Sequence, residues 1–209
     1  MSTDADTWLT WSRELHSIAQ AGLTYAGNGY DLQRYARLRE IAADLTAALA
    51  DAPPEPVRMA LLSERGYLTP KLDVRAAVHD EAGRILLVRE TADGGWTLPG
   101  GWADVGEGPV EGAVREVREE SGYLVEGVRL LGIYDKTRWG APANPFYTLT
   151  ALVGCRLLGG EPTTSIETDG VDWFARDAVP MLSQARTPPA LLARVFEHHD
   201  DPTIGQDLI

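Results

Sequence analysis

The stretch 101–123, GWADVGEGPVEGAVREVREESGY, constrains the fold more than any other part of this chain. Pro109 suits a first helical turn and Gly122 a C-terminal stop. Between them Val110, Ala113, Val114 and Val117 recur at i, i+3, i+4 and i+7 and make one apolar face. At about 100° per residue, Glu116, Glu119 and Glu120 form a second face roughly a third of a turn away. Such a helix sets its valines on a core and its carboxylates, half shielded, at the rim of a cleft. Arg115 lies between Glu111 and Glu119 at i,i+4 spacing from each, so ion pairs can brace the acidic face. Three carboxylates on neighbouring turns, beside the Leu98-Pro99-Gly100-Gly101 turn, repel one another. A hard divalent cation such as Mg²⁺, which takes oxygen ligands and shares them with substrate phosphates, is the simplest offset. A plain solvated Glu/Arg face needs neither that turn nor the isolated Glu107.

These residues resemble the Nudix box, G-x5-E-x7-R-E-aliphatic-x-E-E-x-G-aliphatic. Gly101, Glu107, Arg115, Glu116, Val117, Glu119, Glu120 and Gly122 match at the right spacing. Tyr123 departs from the usual aliphatic residue but is apolar enough to pack there. The resemblance implies that Glu116, Glu119 and Glu120 bind the metal, with the Gly101 carbonyl as a further oxygen ligand. It implies that Arg115 orients a glutamate and that Glu107 supports the group. It further implies an α+β fold, a Nudix α/β/α sandwich with a mixed β-sheet, preceded here by a small N-terminal helical domain. The segments 18–25 and 66–75 look like a bacterial Nudix subgroup with a helical N-terminal extension. That subgroup is described as hydrolysing nucleoside diphosphates linked to another moiety X, with ADP-ribose and CDP-choline as the suggested candidates.

The chain has 209 residues and a net charge of −12, room for one sizeable domain and an appendage. Such acidity opposes non-specific affinity for long nucleic acids, which draws on Lys and Arg at phosphates. A small phosphate ester is still acceptable where bound cations screen it. No apolar stretch is long enough to span a bilayer, and the N-terminus lacks a secretory pattern. The single cysteine, Cys155, sits beside an apolar run and reads as a small buried residue. Cytoplasm is the expected compartment.

Residues 5–50 read as two helices. The first carries Trp8, Trp11, Leu15, Ile18 and Ala19 and stops near Ala21-Gly22; after a Gly27-Asn28-Gly29 turn, Asp31 is the expected N-cap of the second. The proline-rich 51–56 is a stiff linker and the expected boundary between a 1–56 helical domain and a 57–209 hydrolase domain. Two helices alone leave an apolar stripe uncovered, which favours a homodimer contact. Strands are expected at 72–78, 85–88, 96–98, 128–134, 146–157 and 171–174, with short helices around 176–182 and 188–198.

Outside the box, Glu167 is a candidate for the carboxylate that reaches the metal site or acts as base in some Nudix enzymes, with Glu161 and Asp169 as competitors. Lys136, Arg138 and Trp139 are candidates to hold phosphate and stack a base, or else form a solvated loop. Trp102 either lines the pocket or packs, and Arg75 joins the candidate substrate-binding set. His16, His79, His198 and His199 are scattered and form no expected site, and His198-His199-Asp200-Asp201 reads as a polar helix end. The expected enzyme is a Mg²⁺- or Mn²⁺-dependent pyrophosphohydrolase that yields a nucleoside monophosphate and phosphorylated X. The other readings are a catalytically silent nucleotide sensor, which is expected to lose box carboxylates, and an RNA-end hydrolase, which the negative charge disfavours.

Overall fold

The computed structural model describes residues 5–50, 52–141 and 144–208. They divide into two compact units. One runs to Lys71 and includes the 144–147 segment, and the other holds Leu72–Ala141 and the chain from Thr148 onward.

In the first unit, α1 (Ala5–Tyr25) and α2 (Gly29–Leu49) are joined by a short turn. Contrary to expectation, α1 does not stop at Gly22. That glycine lies against the Tyr35 ring, where a Cβ would collide, so its use is close approach of two helices rather than termination. The N-cap of α2 is Asn28, not Asp31: the Asn28 side-chain oxygen accepts from the Asp31 N–H at 2.8 Å. Between the helices the buried Thr46 hydroxyl meets Ser12 Oγ at 2.9 Å, and Arg39 donates to Gln20. The proline-rich stretch differs most from its reading as a linker. Pro54 opens a third helix, α3 (Pro54–Ser63), because missing N–H groups cost nothing in a first turn. Val57 and Leu61 of α3 pack on Ala43 and Ala47 of α2. The compact unit therefore extends past residue 56, while Asp51 at the head of that stretch lies outside the described residues.

The second unit is a mixed sheet between helices. Its strands are β1 (Lys71–His79), β2 (Ile85–Glu90), β3 (Trp96–Thr97), β4 (Tyr123–Asp135), β5 (Thr148–Gly160), β6 (Thr168–Phe174) and β7 (Asp207–Leu208). The order is β3-β2-β1-β5-β4-β7, with β6 on β2; β7 runs parallel to β4, and β6 antiparallel to β2. The helices are α4 (Pro109–Ser121) and α5 (Pro189–Asp200). The period-two rule sorts the core into two faces. Val74, Ala76, Val78 and Leu86 meet Ala113 and Val117 of α4, whereas Ala77, Ile85 and Leu87 meet Leu191, Leu192 and Val195 of α5. Gly122 caps α4 in the left-handed region (φ +75°), its N–H donating to the Arg118 carbonyl. Tyr123, the departure from the aliphatic pattern, packs edge-on against Trp173, whose indole N–H donates to its hydroxyl at 3.1 Å.

The last strand carries a buried polar knot. Asp207 accepts from Tyr134 Oη at 2.6 Å, from both ends of the Arg194 fork at 2.7 and 2.6 Å, and from His198 Nε2 at 2.9 Å. The Arg194 hydrogen bonds hold its carboxyl well below the usual range, against the opposing effect of burial. Asp207→Asn should therefore cost roughly 2–3 kcal/mol in thermal melts at neutral pH. Because the folded carboxyl is the stronger acid, that loss should be complete above about pH 4 and shrink as the pH falls further. A pH-independent difference would contradict the charged knot.

Candidate functional site

The site begins with a turn that only glycine permits. Residues 99–103 run beside β1 through Ala76 N–H to Pro99 O, Val74 N–H to Gly101 O and Ala103 N–H to Leu72 O, at 2.8–3.0 Å. Gly100 has φ +151°, and a Cβ there would strike the Val74 carbonyl and Arg75. Its N–H donates to Glu120 Oε2 at 2.8 Å. A Cβ on Gly101 would lie 2.8 Å from Glu116 Oε1. The two glycines thus let two carboxylates of α4 rest directly on backbone.

Arg115 organises the rest. Its Nε donates to both Glu107 oxygens at 3.0 and 3.1 Å, and its Nη1 donates to Glu116 Oε1 at 2.9 Å and Glu119 Oε2 at 3.0 Å. The Trp102 carbonyl accepts from Nη2 at 3.4 Å. The Glu107 contact is the largest cause that raises the guanidinium pKa. The expected pairing with Glu111 is not made, since that side chain folds back over Gly108. The three box glutamates are not equally shielded. Glu119 is 58% exposed, whereas Glu116 and Glu120 are buried, deeper than a half-shielded rim. Burial raises both carboxyls, and Glu120 is pushed up to about 8 although Arg75 and the Gly100 N–H oppose the shift.

The other predicted residues divide between the site and the core. Glu167 is exposed on the loop before β6; its carbonyl accepts from the Thr91 N–H and hydroxyl, and Thr168 Oγ1 donates to the Glu120 carbonyl at 2.9 Å. Of its competitors, Asp169 pairs with Arg89 at 2.6 Å, and the Glu161 carbonyl abuts Gly122. Trp102 is 52% exposed beside the glycine turn. Arg75 is a correction: it is 5% exposed, its donors face Asp73, Thr97 and the Leu98 carbonyl, and it serves as a buried counter-charge behind Glu120. Lys136 is likewise drawn inward, its Nζ 2.5 Å from Asp73, which also accepts from Thr150 Oγ1. Trp139, in a 3₁₀ turn (Lys136–Trp139), packs edge-on to Tyr134 against the core and is partly buried; Arg138 alone of that trio is exposed.

Glu90 and Arg186 escaped the sequence reading. Glu90 ends β2 buried, 2.8 Å from Arg186 Nε, and its charge is felt by Glu120. A carboxylate closing an apolar strand (Ile-Leu-Leu-Val-Arg-Glu) was the only signal for it. The histidines are less scattered than expected: His79 stacks on His199 at 3.9 Å, and with His198 they line a cavity of about 540 Å³ remote from the box glutamates. Cys155 lines the same cavity, its thiol pushed up to about 12 by burial and so inert at neutral pH.

The donors on this turn and helix are all hard oxygens, which suits a divalent cation of the Mg²⁺ class. As the side chains stand, the guanidinium gathers them; among the described residues no three His, Cys, Asp or Glu side chains converge closely enough to hold a metal ion. The Gly101 carbonyl, already accepting from Val74, keeps a second lone pair. Among the described residues no helix is long and apolar enough to cross a membrane.

Residues 69–195 match the NUDIX domain, and residues 6–61 match a domain described as UDP-X-like, N-terminal oligomerisation domain. A putative ADP-ribose pyrophosphatase of Bacillus subtilis is 38% identical over 94% of this chain and 96% of its own length. A crystal structure of a UDP-X diphosphatase superposes with TM-score 0.63 at 28% identity, covering 99% of this chain and 100% of that one. An ADP-ribose pyrophosphatase from Streptococcus suis gives TM-score 0.61 at 38% identity over 68% of this chain and 100% of its own.

A buried carboxyl with a raised pKa makes a stability prediction. In metal-free protein the unfolded chain ionises Glu120 near its ordinary 4.5 while the folded chain resists until about 8, so stability falls as pH rises between the two. Glu120→Gln should therefore melt higher than wild type at pH 8, by on the order of 4 kcal/mol, and the two should converge near pH 4. Equal melting at both pH values would show a carboxyl in its ordinary range.

Proposed function

The chain belongs to the Nudix hydrolase family, and on that footing we propose that it cleaves the diphosphate of a nucleoside diphosphate linked to another moiety, of the ADP-ribose, CDP-choline or uridine-diphosphate-conjugate type. The observation that carries this reading is the set of box glutamates assembled round Arg115 against the Gly100-Gly101 turn.

Glu116, Glu119, Glu120 and the Gly101 carbonyl are the groups that would hold Mg²⁺ or Mn²⁺. Such a cation supplies charge neutralisation at the diphosphate and acidifies water. The chain's own residues do the remaining work. Arg115, fixed by Glu107, orients Glu116 and Glu119. Glu167, or one of the box glutamates, accepts the proton of the attacking water. The water oxygen bonds to one phosphorus as the bond from that same phosphorus to the bridging anhydride oxygen breaks; the bridging oxygen leaves with the other phosphate, which gives a nucleoside monophosphate and phosphorylated X. Trp102 and Arg138, both exposed, are the proposed contacts for base and phosphate.

The N-terminal helices are proposed to join two copies of the chain. Trp8 and Trp11 pack edge to face at 5.4 Å on α1 yet remain exposed together with Ile18, an apolar strip that association would cover. A double Trp8→Glu, Trp11→Glu change should reduce the mass in light scattering from that of a dimer to that of a monomer. An unchanged mass would remove α1 from the interface.

Phosphatase-coupled phosphate release from ADP-ribose and CDP-choline with Mg²⁺ tests the activity directly. Tight binding of both without turnover would point to a sensor instead. Glu119→Gln and Glu120→Gln should each lower kcat by at least about a hundredfold, the cost of lost site electrostatics. Near-normal turnover in both at saturating Mg²⁺ would refute the metal assignment.

A further inference from the structure

A site that takes a diphosphate into a nest of glutamates needs a cation that can reach the substrate, and most of the neighbouring ones are committed. Arg115 spends its guanidinium on Glu107, Glu116 and Glu119. Arg75 and Lys136 are buried on Asp73. Arg186 is different. Its side chain is 31% exposed, yet it is held within the site's electrostatic reach: Nε pairs with the buried Glu90 at 2.8 Å, Glu90 acts on Glu120, and Arg186 itself acts on Lys136. Nη1 takes long contacts to Asp93 at 3.5 Å and Ser183 Oγ at 3.4 Å, while Nη2 has no hydrogen-bond partner among the described residues.

The backbone that carries Arg186 is fastened to the glycine turn. The 181–187 segment lies along β3 through Trp96 N–H to Met181 O at 2.9 Å and Ser183 N–H to Trp96 O at 2.8 Å. The next residue, Thr187, is fully buried; its hydroxyl meets Thr97 Oγ1 at 2.8 Å and accepts from the Leu98 N–H at 3.1 Å. Leu98 in turn leads directly into Pro99 and Gly100. An arginine anchored one residue from that contact, clamped by a buried carboxylate at Nε and open at Nη2, is pre-organised for a phosphate oxygen, and its planar fork suits one.

We propose that Arg186 is a phosphate-binding residue of this site, held by Glu90 so that the free edge of its guanidinium receives an oxygen of the substrate's diphosphate or of the phosphorylated remainder. This rests on the reading of the protein as a nucleoside diphosphate-X hydrolase. The residue contributes binding and orientation, and it leaves the proton transfers to the carboxylates.

The test compares wild type, Arg186→Gln, Arg186→Lys and Arg186→Ala on whichever of ADP-ribose and CDP-choline the wild type accepts, with melting temperatures and calorimetric binding measured in parallel. Arg186→Gln should raise KM by about tenfold to a hundredfold, the usual cost of losing a charge-assisted hydrogen bond, with kcat within about threefold of wild type. Arg186→Lys should recover only part of the loss, because a point charge does not replace the fork. Added guanidinium ion should partly restore Arg186→Ala, a rescue that a merely structural role would not show. Unchanged KM and unchanged affinity in Arg186→Gln would overturn the proposal. So would a fall in kcat that tracks a fall in melting temperature and resists guanidinium. A wild type that binds these conjugates without turning them over would defeat the hydrolase reading alone, and calorimetry of Arg186→Gln would still decide the role of Arg186.

Discussion

The second unit has to accommodate a buried acid, Glu120. A carboxyl in that position has lost most of its water, and what replaces the water is one backbone N–H from Gly100 and the field of Arg75. Neither compensates fully, so the group holds its proton far above the ordinary range. The surroundings can be understood as the means of tolerating this. Arg75 is kept charged in the interior by Asp73; Asp73 is satisfied by Lys136 and Thr150; and Glu90, a second buried acid nearby, is matched by Arg186. The result is alternation of charge rather than a single ion pair, which is how charges survive where water is scarce.

That alternation also explains why the glycines are where they are. A carboxylate can accept from a backbone N–H only if the backbone comes close, and a Cβ on Gly100 would meet a carbonyl while one on Gly101 would meet Glu116. The turn is thus shaped by the helix it faces as much as by its own conformational preference. Arg115 completes the arrangement from the solvent side by tying Glu107, which is not on the helix, to two residues that are.

Much of this was legible in the chain. The valine stripe of α4, its proline start and its glycine stop predicted a helix with one buried and one acidic face, and the helix occupies 109–121 as that pattern requires. The strands expected at 72–78 and 85–88 are present as β1 and β2, joined by a turn that closes through Gly83 N–H to Asp80 O. What the sequence concealed is of two kinds. Local cues gave wrong boundaries where tertiary contact overrode them: Gly22 signals an end but serves a crossing with Tyr35, and the prolines of 53–56 signal a spacer but start a helix. The second kind is pairing at a distance. Arg75 and Lys136 look like surface cations until Asp73 is found between them, and nothing near Glu90 in sequence announces Arg186. Charged residues at alternate positions of β1, Asp73 and Arg75, were the available hint, since a strand buried on both faces carries charge only where something answers it.

The hydrogen bond from Thr168 to the last turn of α4 has a consequence for how this loop can vary. Ser165 turns the chain back on itself through contacts with the Glu167 and Thr168 amides, and Thr168 then docks on the Glu120 carbonyl. Glu167 is therefore located by fastenings to the end of α4 on both sides: the Thr163 N–H donates to the Ser121 carbonyl at 2.9 Å before it, and Thr168 docks on the Glu120 carbonyl after it. Changes of length on the β5 side of Thr163 would be absorbed before the first of these fastenings, whereas changes between Thr163 and Thr168 would displace that carboxylate.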